Sequence, residues 1–194
     1  MYYHPSNTPY KQDRRVNRFK YPKNLHHSML VAYAEGGEKL NSAELGLVGY
    51  TWKAEVFGSD IHIKRVDLPA VLVIKARAGI SQVDFTFDQN MRPFVCYVAE
   101  GLPYYYHFAS GTSTYAEVAL PAEVKFPRCE IDFRTVPEIP KSDIILGYTR
   151  EGNLCYRIQR ERFLMEHIIA TDPKKTMLWR VGRTISTEFG YQWR

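Results

Sequence analysis

The sequence predicts a mainly β fold of repeated antiparallel hairpins, propeller-blade-like or a sandwich, with an extended N-terminal arm. Runs of aromatic and β-branched residues alternate with glycine turns along most of the chain. A segment near the middle recurs 51 residues later. No stretch of a dozen residues carries a persuasive helical stripe.

The elements follow in order. Met29 to Ala34 is a β-prone run ended by Gly36-Gly37, and Gly49 to Phe57 is a second run, rich in aromatic and β-branched residues. Gly58-Ser59-Asp60 supplies a hairpin turn, after which Ile61 to Val66 alternates apolar and polar residues, leaving His62 on the wet face. Ala70 to Ala76 is apolar and suits a buried strand, and Val83 to Phe87 begins the next one. Gln159 to Ile169 reads better as strand than as helix, because Phe163, Glu166 and His167 break up any clean helical face. The last stretch, from Met177, reads as two short strands joined through Gly182, with Trp179 and Trp193 expected inside.

The repeat places "FVCYVAEGLPYYY", residues 94–106, over "ILGYTREGNLCYR", residues 145–157. Tyr97 meets Tyr148, Glu100 meets Glu151, Gly101 meets Gly152 and Tyr105 meets Tyr156. Upstream, Val83-Asp84-Phe85 is matched with Ile131-Asp132-Phe133 at an offset of 48. The Glu-Gly pairs mark tight hairpins in which glycine adopts a positive φ without steric penalty. Tyr50 to Val66 is a candidate third unit, so the expected organisation is an arm over 1–28 and a β domain over 29–194 with repeats at about 81–110 and 130–160. "FDQNMRP", residues 87–93, then reads as the corner of a repeated unit, with Asp88 and Asn90 bonding the turn backbone and Arg92 an acidic neighbour.

Net charge is confined to one end. The formal net charge is +5, and residues 1–28 hold six basic side chains against Asp13, which accounts for all of it. The remainder is neutral overall, so a nucleic-acid partner is not expected of the β domain. Pro5, Pro9 and Pro22 forbid a long helix in the arm, while its aromatics exceed those of a typical linker. An arm packed on a neighbour and a loose terminus both fit. No apolar run of about 18 residues spans a bilayer. The start lacks the pattern of a secretory signal, so the expectation is a soluble protein made in a cytoplasm.

Cys96, Cys129 and Cys155 are expected as reduced thiols; no Cys/His spacing suggests a metal, and no cofactor is predicted. Phosphate loops, nucleophile elbows and zincin motifs do not occur in the sequence. Asp84 and Asp88 form the best available carboxylate pair, which structural roles account for more simply. In "LPYYYHF", Tyr104 and Tyr106 share one face and Tyr105 takes the other. The candidate interface residues are Tyr2, Tyr3, Tyr10, Arg14, Arg15, Arg18, Phe19 and Tyr21 of the arm, together with Tyr104 and Tyr106. No catalytic or metal-binding residue is assigned.

The segments "GLVGYTWKAEVFGSD", "VDFTFDQNMRPFVCYVAEG", "SDIILGYTREGNLCYRIQRERFLMEHII" and "LWRVGR" resemble a family of tailed-bacteriophage virion structural proteins, over about residues 46–194. Phe87 to Arg92, Ser142 to Tyr148 and Arg157 to Arg162 carry the likeness. The resemblance implies β-rich, blade-like modules associated with the tail, and implies no reaction and no cofactor.

The expected function is therefore a non-enzymatic structural component of a bacteriophage tail, at the tip, baseplate or fibre attachment. Its expected partners are other tail proteins and copies of itself, in the virion after synthesis in the host cytoplasm, with a host glycan or receptor as a further contact. The rival is a carbohydrate-recognising or carbohydrate-cleaving β module, with Tyr104 and Tyr106 as platform and Asp84 or Asp88 as acid.

Overall fold

The computed structural model describes residues 30–36, 50–88, 90–109, 111–132, 143–183 and 189–193. The fold is mainly β, with three antiparallel four-stranded sheets and a two-stranded one. The first sheet runs β1 (Val31–Gly36), β2 (Tyr50–Phe57), β3 (Asp60–Arg65) and β4 (Val71–Lys75). The second runs β5 (Ile80–Phe87), β6 (Pro93–Ala99), β7 (Leu102–Ala109) and β8 (Thr114–Ala119). The third runs β9 (Val124–Asp132), β10 (Asp143–Arg150), β11 (Asn153–Ile158) and β12 (His167–Thr171), and β13 (Leu178–Arg183) pairs with β14 (Phe189–Trp193). Among the described residues no helix is long and apolar enough to cross a membrane.

Each sheet is a meander, its strands lying in chain order and pairing antiparallel. The first strands of successive sheets are neighbours: β1 lies against β5, β5 against β9 and β9 against β13. That arrangement is blade-like, with the first strand of each sheet innermost. Burial grades outward accordingly. All of β6 is buried, whereas β8 alternates between exposed and half-buried positions.

Three apolar clusters fill the spaces between sheets. Ala54, Ile61, Ile63 and Ile74 of the first sheet meet Phe85, Phe87, Tyr97 and Tyr104 of the second. Phe94, Cys96 and Tyr105 of the second meet Cys129, Ile144, Leu146, Tyr148 and Phe163 on the next layer. Ile145, Leu154 and Ile158 pack on Leu178 and Val181 of the terminal hairpin. Gly147 permits that last contact, since a Cβ there would lie 3.2 Å from Leu178 Cδ2 and 3.3 Å from Val181 Cγ2.

Several expectations need revision. Val71, Leu72 and Val73 are 44%, 46% and 42% exposed, not buried, because β4 is the outer edge of its sheet. Gln159 to Glu161 forms a 3-10 turn, after which Arg162 and Phe163 adopt positive φ, and strand resumes only at His167. Phe163 explains the break: it turns inward to 1% exposure and packs on Phe94, Tyr105 and His107. Gly182 lies within β13, opposite Gly190, and joins nothing.

The repeat is also registered differently. Tyr97 and Tyr148 keep their offset of 51, but Asp84 pairs with Cys96 while Arg128 pairs with Gly147. The first strands therefore match at an offset of 44, so Arg128, and not Asp132, stands in the place of Asp84. A bulge separates the two ladders further: Phe126 and Pro127 together oppose Tyr148, with Phe126 at φ 52.

The hairpins at Glu100-Gly101 and Glu151-Gly152 have φ of 52 and 78, and of 51 and 76, the pattern of a type I′ turn. Glutamate is strained in that conformation, so replacing Glu100 or Glu151 by Asn is expected to stabilise the fold by about 0.5 kcal/mol each. Gly101→Ala is expected to cost about 1–2 kcal/mol from its backbone alone. Gly152→Ala should cost more, because its Cβ would also lie 3.0 Å from Pro173 Cα. Urea unfolding of the four variants checks the order, and equal losses at the two glycines would contradict it.

Candidate functional site

The corner at residues 88–92 is closed by its own aspartate. Asp88 Oδ1 accepts the N–H of Asn90 at 2.8 Å and of Arg92 at 2.9 Å, while the Asp88 N–H donates to the Arg92 carbonyl at 2.9 Å. This Asx arrangement lets Met91 hold φ 58. The Arg92 guanidinium lies over the Phe108 ring, 3.8 Å from its centroid, which is a cation–π contact in place of the expected acidic neighbour. Gln89 lies outside the described residues.

Arg92 begins a ladder across one face of the second sheet. Phe108 meets Tyr115 edge to face at 5.4 Å, and Tyr115 stacks on Tyr106 at 5.1 Å with only 5° between the rings. The register brings this about, since Phe108 pairs with Tyr115 and Tyr106 with Glu117 across β7 and β8. Tyr115 is 41% exposed and gives the ladder its solvent-facing surface. At the other end, Tyr97 stacks on Tyr104 at 5.5 Å, and Arg77 lies 4.5 Å from the Tyr104 centroid. Glu117 joins the two parts: it accepts the Tyr97 hydroxyl and pairs with Arg77 at 2.7 Å.

The sequence-derived pair therefore divides. Tyr106 is half-buried within the ladder, whereas Tyr104 is 7% exposed and packed between the first and second sheets. The arm residues Tyr2, Tyr3, Tyr10, Arg14, Arg15, Arg18, Phe19 and Tyr21 lie outside the described residues. Tyr115, Glu117, Arg77 and Arg92 are the members that sequence reasoning missed. The "TYAEVA" alternation of β8 puts Tyr115 and Glu117 on one face, which was the available signal.

Asp84 does not join this surface. It points to the opposite face of β5, where its Oδ2 accepts the Cys129 N–H at 3.0 Å, and it is 3% exposed. Asp88 is closer to the ladder, near enough to add to burial in raising the Tyr115 phenol, but its Oδ1 is occupied by the loop amides. The structure thus separates Asp84 from the tyrosine platform and gives Asp88 a turn-closing role. What the ladder offers chemically is recognition: ring faces and a guanidinium for stacking, and a carboxylate already paired.

The third sheet carries a counterpart of the Tyr–Glu–Arg unit. Tyr148 donates to Glu166 Oε2 at 2.6 Å, Arg150 reaches Glu166 Oε1 at 3.1 Å, and Arg157 Nε donates to the Tyr148 oxygen at 2.9 Å. Burial, and then the neighbouring glutamate, pushes both the Tyr97 and Tyr148 phenols well above the ordinary tyrosine range. Burial likewise raises the Cys155 thiol to about 11, so it is held protonated at neutral pH.

Exposed apolar side chains occur in and around the first sheet, at Phe57, Val66, Leu68 and Val71 to Val73, and near the edge of the third, at Leu164, Met165 and Ile168. Compared with known proteins, the chain matches no family model, no curated protein and no solved structure.

Removing either phenol oxygen, by Tyr97→Phe or Tyr148→Phe, is expected to cost about 1 kcal/mol, since each glutamate keeps an arginine. The folded state holds the two phenolic protons more tightly than the unfolded chain does. Their contribution is therefore complete below about pH 10 and is lost as pH climbs past it. Thermal unfolding followed from about pH 8 to about pH 12 should show a midpoint that falls only above about pH 10, a fall that the double Tyr→Phe variant flattens. An unchanged slope in that variant would assign the loss to other groups.

Proposed function

We propose that the chain is a non-enzymatic structural component of a bacteriophage tail, assembling with copies of itself and with other tail proteins. The observation that carries this reading is the edge strand β4. Among the described residues no strand pairs its outer side, and Val71, Leu72 and Val73 are apolar and exposed on both faces. Proteins that remain single usually blunt such an edge with charge, proline or a bulge. Here the strand's one charge, Lys75, is neutralised by Asp60 at 2.6 Å.

The occupant that fits is a second β4. Antiparallel pairing of two copies about Val73 would set Leu72 beside Ile74 of the other copy, extending the apolar face that Ile61 and Ile63 begin. The sequence likeness to tail-associated virion proteins supports placing such an assembly in a virion. The N-terminal arm, with its basic and aromatic residues, is assigned to a neighbouring subunit.

A second reading, recognition of a host glycan, is favoured by one observation: the stacked Tyr106–Tyr115 pair beside Arg92 presents ring surface to solvent. It needs no catalytic residue.

Light scattering on the full-length protein is expected to give about twice the mass of one chain, and Val73→Lys should return it to a monomer. A wild-type monomer, or a dimer indifferent to Val73→Lys, would overturn pairing through β4. Deleting residues 1–28 should abolish incorporation into tail particles while the β-sheet circular dichroism is kept. Normal incorporation of the truncated chain would remove the arm from the proposal. Glycan binding lost on Tyr115→Ala, by a protein that stays folded, would move the weight to the second reading.

A further inference from the structure

Between the second and third sheets, three side chains that could ligate a metal converge from three different strands. Asp84 of β5 and Cys96 of β6 are register partners and so point to the same face of their sheet. Cys129 of β9 approaches from the next layer, its backbone N–H donating to Asp84 Oδ2 at 3.0 Å. The carboxylate oxygen and the two Sγ atoms all lie within 4.8 Å of one another. Among the described residues no other trio of His, Cys, Asp or Glu side chains comes this close.

We propose that Cys96, Cys129 and Asp84 form a binding site for a thiophilic dication of the Zn2+ kind, which pins the second sheet to the third. The proposal is independent of the assembly reading.

The geometry is close to what such an ion requires. Zinc–sulfur bonds of about 2.3 Å put tetrahedral ligand atoms about 3.5–3.8 Å apart, so a contraction of no more than about 1.3 Å closes the shell. Asp84 takes the Cys129 N–H on Oδ2, the kind of contact by which surrounding groups commonly orient a metal ligand. The Phe94 carbonyl, 3.9 Å from Cys129 Sγ, stands beside the cluster as an oxygen donor for a fourth position.

Charge balance favours a dication. Binding releases one proton from each thiol as the ion arrives, so two positive charges leave and two enter. The interior therefore gains no uncompensated charge, which a site at 0–3% exposure could not tolerate. The same burial closes the route from solvent. Loading should accompany folding, and exchange from the folded chain should be slow.

The sequence conceals this site because its members are 12 and 33 residues apart and lie on separate strands. Metal motifs are recognised when a turn or one helix supplies two ligands at short spacing. Here the β5–β6 ladder and the packing of β9 replace that spacing.

The test uses the full-length chain refolded under reducing, oxygen-free conditions with Zn2+ or Co2+, then freed of loose metal. About one zinc per chain should be released on denaturation. The cobalt form should show a thiolate-to-metal charge-transfer band, which separates this site from histidines elsewhere in the chain. Cys155→Ser should keep both signals, whereas Cys96→Ser, Cys129→Ser and their combination should lose the band and the zinc. Where a cysteine variant fails to fold, the wild-type measurement decides. Less than about one-tenth of an equivalent of zinc with no cobalt–thiolate band overturns the proposal. So does zinc retained in full by the folded double Cys→Ser variant.

Discussion

A four-stranded meander has two faces, and an apolar inner strand must have both covered. That constraint organises this molecule. β6 and β10 are buried almost throughout, and among the described residues it is the neighbouring sheets that cover them. Stacking the first strands as β1, β5, β9 and β13 covers each inner face in turn and leaves outer strands at the rim. The exposed residues of β4, the ladder on β7 and β8, and the apolar edge near β12 all follow from that placement. Exposed apolar and aromatic side chains accumulate where the covering sheet no longer reaches.

The turns were the most legible part of the fold. Gly58, Gly101 and Gly152 stand at three hairpins because each has a positive φ, a requirement that residue identity reveals directly. The failures had a different origin. Val71 to Val73 have the composition of a core strand, and composition does not say whether another strand lies beyond. The match of Asp84 to Asp132 followed letters, while the ladder follows hydrogen bonds, and a bulge at Phe126-Pro127 displaces one from the other. Gln159 to Ile169 hid a turn because Phe163 is apolar enough to suit a strand, although its burial is achieved by leaving one.

The candidate surface was half legible for a related reason. Alternation placed Tyr104 and Tyr106 on one face correctly, yet it carries no information on how far along the sheet the neighbouring layer extends. Tyr104 falls under the first sheet and Tyr106 near its limit, so two residues equivalent by pattern differ in accessibility. Arg77 and Arg92 were missed because they come from the connections at either end of the sheet's face, and only folding brings them onto the rings.

The two Tyr–Glu–Arg units show how a repeated scaffold keeps one core contact while its periphery differs. Tyr97 and Tyr148 occupy matching places and meet a carboxylate in the same way, so this contact answers a need common to both sheets: a buried phenol must have its hydroxyl satisfied. The arginines differ. Glu117 draws on Arg77 from the connection before β5, whereas Glu166, just before β12, draws on Arg150 of β10, with Arg157 of β11 bonded to the phenol oxygen. In the third sheet the charges are thus drawn inward from its own strands, and its rim is apolar at Leu164, Met165 and Ile168. In the second, the pairing lies beside the open ring of Tyr115, and aromatic and charged groups reach solvent together. One repeat thus supplies an apolar edge and the other a polar aromatic face, from a shared core contact whose partners were changed only at the periphery.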